Sequence, residues 1–334
     1  MKRITGLAAV AGLILLAVLV AMSGADAVFG AVAEAGWATA LVVAARFVAI
    51  VAVGVAWFLL FPVGNGLSVG VAILLRFVRE GANQLLPVAA VGGDIIGARL
   101  ATFWRVDGAT AGASVVADVA LQAATQLVYA VAGLLLLVWL AGDSELVHYA
   151  AAGLAVAGVG IGAFALLQHQ GGSRLLSALA RRVAGGRDWA GMATLSRFYE
   201  RLGAIYGNRR RVAGSAAIHM ATWVFGTVEV WVALHFMGYP ISLAEAFVIE
   251  ALGQAVRGAA FAVPGGLGVQ EGGFIALCAL FGIPAGPAVA VSLLKRVADV
   301  GLGIPGLLVW QGLEGRRAFA SPLAPAADLA DRSR

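Results

Sequence analysis

VPGGLGVQEGG, residues 263–273, lies in a stretch apolar enough for a bilayer, yet Pro264 and the glycines at 265, 266 and 268 interrupt it. Glu271 follows, beside two further glycines. Backbone groups that leave a helix inside hydrocarbon have no water to bond. Such a break is tolerable only where protein or a polar cavity surrounds it. The stretch therefore marks the inside of a membrane protein rather than a lipid-facing surface.

Composition supports the membrane setting. Of 334 residues 61% are hydrophobic and 12% charged, with a mean hydropathy of +0.92, whereas soluble domains are about a quarter charged. One cysteine, Cys278, excludes an internal disulfide framework. The histidines at 148, 169, 219 and 235 show no metal-ligand spacing, and no cofactor motif is present. The net charge of +5 comes with arginines clustered between apolar stretches, so they read as topology markers and not as a nucleic-acid surface.

Apolar runs near 4–22, 38–61, 109–141, 147–168, 212–237 and 286–311 are long enough to span. Residues 1–27 also resemble a secretory leader ending at Ala25-Asp26-Ala27, but the run from Ile4 to Met22 favours an uncleaved first helix. The expectation is an all-α polytopic integral membrane protein. It would have about six full spans and two helical hairpins, re-entrant or fully spanning, at 66–103 and 244–283. Nine arginines in the polar loop 170–211, and four more in the tail 313–334, place both on the cytoplasmic side. The acids at 26, 34, 143 and 145 fall outside, and both termini are then cytoplasmic.

The two hairpins share one spacing. Gly81-Ala82 precedes Pro87 by five residues and Asp94 by twelve; Gly258-Ala259 precedes Pro264 and Glu271 by the same intervals. The offset is 177, and with one residue of slippage Ser114 and Asp118 fall opposite Ser292 and Arg296. This suggests a duplication, repeat A about 38–141 and repeat B about 212–311, inverted because the hairpins enter from opposite sides. Gly/Pro-interrupted segments at matching positions of inverted repeats point to a substrate site near the midplane.

A charge at a helix centre costs roughly 2.5–3.5 kcal/mol on the lenient insertion scale, so charges within the spans need partners or a purpose. Arg76, Arg79 and Arg99 lie near span ends and can snorkel. Asp118, Glu229, Arg257, Glu271, Arg296 and Asp299 are harder to excuse, and Asp94 and Lys295 join the candidate substrate-binding residues. Lys295 or Arg296 could neutralise Asp299 along one helix, leaving the other cation for Asp118 or a ligand. Arg257 could pair with Glu250 or Glu271, or reach the cavity. Glu271 either stabilises the helix that begins after Gly268 or touches substrate. The amides after Gly265 and Gly266 could receive a phosphate or hydroxyl oxygen, or those glycines could serve close packing. No catalytic arrangement appears, so an enzyme is not expected.

Asn83 to Pro87 with Gly92-Gly93-Asp94, then Pro264-Gly-Gly-Leu-Gly-Val-Gln-Glu271, then Ser292 to Asp299, resemble the transmembrane flippase-like domain of lysylphosphatidylglycerol synthases. Within that group the chain looks most like the hopanoid-associated HpnL subfamily, over residues 5–312. The synthases follow their membrane part with a soluble aminoacyl-transfer domain. Residues 313–334 are a short Ala/Pro/Asp tail, so lysyl-lipid synthesis is not expected of this chain. The resemblance implies a transporter of the bacterial inner membrane that moves lipid, with a hopanoid as cargo. The rival cargo is an anionic phospholipid or undecaprenyl phosphate. A third reading is a membrane scaffold for lipid-biosynthesis enzymes.

Overall fold

The computed structural model describes residues 30, 33, 35–64, 66–86, 91–142, 145–168, 172, 190–259 and 268–320. The run at 4–22, the breaks at 87–90 and 260–267 (with Pro87, Pro264, Gly265 and Gly266), and the tail from 321 lie outside them. The elements are α1 (Trp37–Phe58), α2 (Val69–Leu85), α3 (Gly92–Ala101), α4 (Gly108–Ala141), α5 (Glu145–Gln168), α6 (Ala190–Gly207), α7 (Arg209–Phe236), α8 (Leu243–Ala259), α9 (Val269–Ala279) and α10 (Ala285–Ala320). No strand occurs among the described residues.

Local chemistry sets the helix ends. Ser68 caps α2 by accepting from the Val71 amide, and Asp107 caps α4 by accepting from Thr110. Before α8, Ser242 and Glu245 bond each other's amides reciprocally. Gly142 ends α4 at φ 74° and Gly268 starts α9 at φ 76°, conformations that favour a residue without Cβ.

Four helices among the described residues are long and apolar enough to cross a membrane: α1, α7, residues 108–140 of α4 and residues 147–167 of α5. The expected span at 286–311 lies inside α10, whose first half carries Lys295, Arg296 and Asp299 and which is not among these four. The Arg-rich segment expected as a loop is helical from Ala190. Its α6 packs on α4, and Tyr199 donates to the Leu167 carbonyl at the end of α5.

The helix pattern of α1–α4 recurs in α7–α10. Gly92 and Val269, and Gly108 and Ala285, begin matched helices 177 residues apart. Contacts exchange in the same way: α2 packs on α10 as α8 packs on α4, and α1 touches α10 as α7 touches α4. The matched helices α1 and α7 pack on each other. Arg46 meets Glu229 at 3.2 Å while Arg211 donates to the Phe61 carbonyl at 2.7 Å, so the two run antiparallel.

Between lipid-embedded helices apolar burial gives little drive, and close backbone approach through small residues takes its place. A Cβ on Gly303 would lie 3.2 Å from the Gly81 Cα, and one on Gly54 would lie 2.8 Å from the Ile73 Cα. Two apolar cores result. One gathers Val42, Val230, Leu234, Ile249, Phe274 and Leu294; the other gathers Trp57, Phe61, Leu75, Leu100, Ala117 and Leu202. Each takes one end of α1, and the charged residues occupy the layer between them.

Candidate functional site: two buried charge networks

The first network centres on Asp118, in α4 and wholly buried. It lies ten residues past the helix start, roughly 15 Å along the axis. One carboxylate oxygen meets both Arg76 at 2.9 Å and Arg79 at 2.8 Å; the other meets His219 Nε2 of α7 at 3.1 Å. Arg79 continues to Asp94 at the start of α3 (2.6 Å) and lies over the Trp57 ring, 4.5 Å from its centroid. Arg76 also reaches Glu80 and donates to Gln122. Gly97 is small because the Arg79 side chain crosses where its Cβ would stand.

The second network centres on Lys295, ten residues into α10 and 2% exposed. Its ammonium lies 2.8 Å from Glu229 and 2.9 Å from Glu250. Arg46 joins Glu229 to Asp299, and Asp299 takes Arg257 at 3.0 Å. Arg296 meets Glu271 at 2.7 Å, and Glu271 also accepts from the Gly268 amide and from the Ser292 hydroxyl. Glutamines join the networks: Arg257 donates to Gln84, whose amide donates to Glu80, while Gln126 donates to the Gln254 carbonyl and Gln254 to Glu250.

The two centres are related. Arg76 and Glu250 stand seven residues into the matched helices α2 and α8; their partners Asp118 and Lys295 stand ten residues into α4 and α10. Counted from the helix starts, each half therefore carries a similarly placed pair with its charges exchanged. The starts of α2 and α8 are 174 residues apart and those of α4 and α10 are 177 apart, so the likeness is one of place within each helix; at the second offset Asp118 falls opposite Lys295, where the slipped register put Arg296.

The candidate residues Asp94, Asp118, Arg257, Glu271, Lys295, Arg296 and Asp299 all belong to these networks. Pro264, Gly265 and Gly266 lie outside the described residues. Three expectations are corrected. Arg76 and Arg79 are buried instead of snorkelling, because their faces of α2 turn toward α4 and α3. Asp299 bonds α1 and α8 across the bundle through Arg46 and Arg257, not a cation of its own helix. Arg257 takes Asp299 and Gln84 in place of Glu250 or Glu271. Glu271 does act at its helix start, and it holds Arg296 as well. His219 and the bridging glutamines escaped the sequence reading, since a lone histidine or amide in an apolar helix carries no spacing signal.

Each of these cations meets at least one carboxylate and each carboxylate at least one cation, the condition under which charge survives at membrane depth. Arg257 in the last turn of α8 and Glu271 in the first turn of α9 keep some exposure, 17% and 19%. No curated protein and no solved structure matches the chain. Residues 4–306 match the model of the lysylphosphatidylglycerol synthase TM region. The chain belongs to that family of lipid-related membrane proteins.

Proposed function

We propose that this protein is a bacterial inner-membrane lipid transporter, without catalytic activity, that carries a hopanoid headgroup past the charged layer while the apolar body stays in lipid. Its halves act as inverted repeats with both termini cytoplasmic, a reading supported by the antiparallel α1 and α7 and the exchanged contacts. One observation carries the choice of cargo. Lys295, Arg257 and Arg296 each already hold a carboxylate. A neutral polyol can bond to such pairs through its hydroxyls without breaking charge neutrality, whereas an anionic headgroup must displace a carboxylate and leave it buried, a costly exchange.

The test is lipid analysis of separated inner and outer membranes from a deletion strain. Hopanoids made in normal amount but retained in the inner membrane are expected; an unchanged distribution overturns the proposal. The partial exposure of Arg257 and Arg296 favours the second reading, an anionic phospholipid or undecaprenyl phosphate as cargo. In that case purified protein moves the anionic lipid in vesicles and Arg257→Ala abolishes the movement.

A further inference from the structure

We infer that a cavity at one end of α1 and α4 binds the phosphate group of an anionic lipid at the membrane surface. The site is separate from the two buried networks: along α4 it lies roughly 15 Å from Asp118. It stands whether or not the protein transports lipid.

Three of the helices long and apolar enough to span end at this cavity, whose volume is about 220 Å³. α1 finishes at Phe58, shortly before Pro62 in the cavity wall, and α4 begins beside Asp107 and Thr110 of the same wall. Arg211, in the first turn of α7, donates to the Phe61 carbonyl next to it. A cavity bounded by span ends faces the layer where hydrocarbon gives way to headgroups. Val63 in its wall is 90% exposed and offers acyl chains an apolar contact.

Charge in the cavity favours an anion. Arg105 and Arg201 line it, with Arg211 beside them. The opposing charge is Asp107. Its oxygens are taken by the Thr110 amide at 3.0 Å and the Thr110 hydroxyl at 2.5 Å, and it meets Arg201 only at 4.0 Å. Among the described residues Arg105 has no carboxylate partner. Its φ is 64°, a left-handed conformation that a residue with a Cβ adopts at a cost. The loop after α1 packs on the turn that ends at Arg105, since a Cβ on Gly66 would lie 3.2 Å from the Trp104 carbonyl oxygen. A strained backbone thus holds an unpaired guanidinium at the cavity, and guanidinium bonds phosphate oxygens in pairs.

The test is thermal unfolding of the purified protein in detergent, with phosphatidic acid or with diacylglycerol of the same chains, which differ by the phosphate alone. Phosphatidic acid should raise the melting temperature and diacylglycerol should not. In Arg105→Gly with Arg201→Gln the concentration giving half the rise should increase about tenfold or more. Glycine suits φ 64°, so Arg105→Gly removes the cation while keeping the turn. Should the double variant fail to fold, Arg105→Gly alone must show the increase. Arg209→Gln with Arg210→Gln removes two exposed arginines that do not line the cavity and should leave the response as it is. No rise with phosphatidic acid, or a rise that the second pair of substitutions weakens as much as the first, overturns the inference. Inorganic phosphate at equal concentration should give no shift; a shift that the Arg105 variant loses overturns the assignment to lipid.

Discussion

Replacing Lys295 with methionine tests the buried network most directly. Methionine roughly matches the lysine stem in volume and shape, so packing changes little, but the cation between Glu229 and Glu250 is lost. Glu229 keeps Arg46 at 3.2 Å. Glu250, 2% exposed, is left with the neutral Gln254 amide at 2.8 Å. Removing one member of a buried pair costs about 3–5 kcal/mol because the other charge stays uncompensated. At roughly 2–4 °C per kcal/mol, that is on the order of 10 °C in melting temperature. The assay is thermal unfolding in detergent followed by tryptophan fluorescence, for which the chain has eight tryptophans. Adding Glu250→Gln to Lys295→Met removes the orphaned charge and should recover about 2 kcal/mol or more. The reasoning is refuted if Lys295→Met melts like the wild type, or if the double variant is no more stable than the single.

Gly81→Ala forces a Cβ into the Gly303 backbone and should destabilise by about 1–3 kcal/mol, whereas Gly301→Ala, with nothing within 4 Å, should gain about 0.5–1 kcal/mol from helix propensity; melting curves compare the two. Asp107→Ala removes the α4 cap and should cost about 1 kcal/mol. Burial pushes the Asp107 carboxyl up, but the Thr110 hydroxyl and amide outweigh it and hold the group below its ordinary range. Its contribution is therefore full above the ordinary carboxylate range and disappears as pH falls through the lowered value, so denaturation curves of wild type and variant should converge in acid. Glu271→Gln keeps an acceptor for the Gly268 amide but gives up the charge that holds Arg296, so vesicle assays should show lipid movement falling by roughly tenfold with little change in melting temperature.

What the chain showed before its structure follows from what a linear pattern can carry. The all-helical character and the long apolar helices were legible because unbroken apolar runs are long enough to span, and hydropathy measures depth along a chain. It does not measure rotation. Arg76 and Arg79 lie at the polar end of a short apolar stretch, where snorkelling is the ordinary outcome. Only the packing of α2 against α4 turns them inward. Asp299 likewise had an in-helix partner at the right spacing and instead bonds two other helices. The candidate acids and cations could be named from the sequence because charge in a span is costly; their pairing could not, because it is set by how the helices cross. The slipped register had the same origin. Both Lys295 and Arg296 fit opposite Asp118 by charge, and only the helix starts at Gly108 and Ala285 choose between them.

The exchange of sign between the halves bears on how cargo could pass. A duplicated pair keeps its neutrality whichever helix carries the cation, so reversal needs no compensation elsewhere. Its consequence is chemical asymmetry. Around Asp118 two guanidiniums converge on one carboxylate, making that centre rich in hydrogen-bond donors. Around Lys295 two carboxylates converge on one ammonium, making that centre rich in acceptors. A hydroxyl both donates and accepts, so a polyol can bond at either centre and exchange one for the other as the hairpins move. A phosphate only accepts and is repelled by the second centre. Under the transport reading, the reversed pair is thus a reason for the protein to pass hydroxylated headgroups and to retard phosphorylated ones, which a pair of like-signed repeats would not supply.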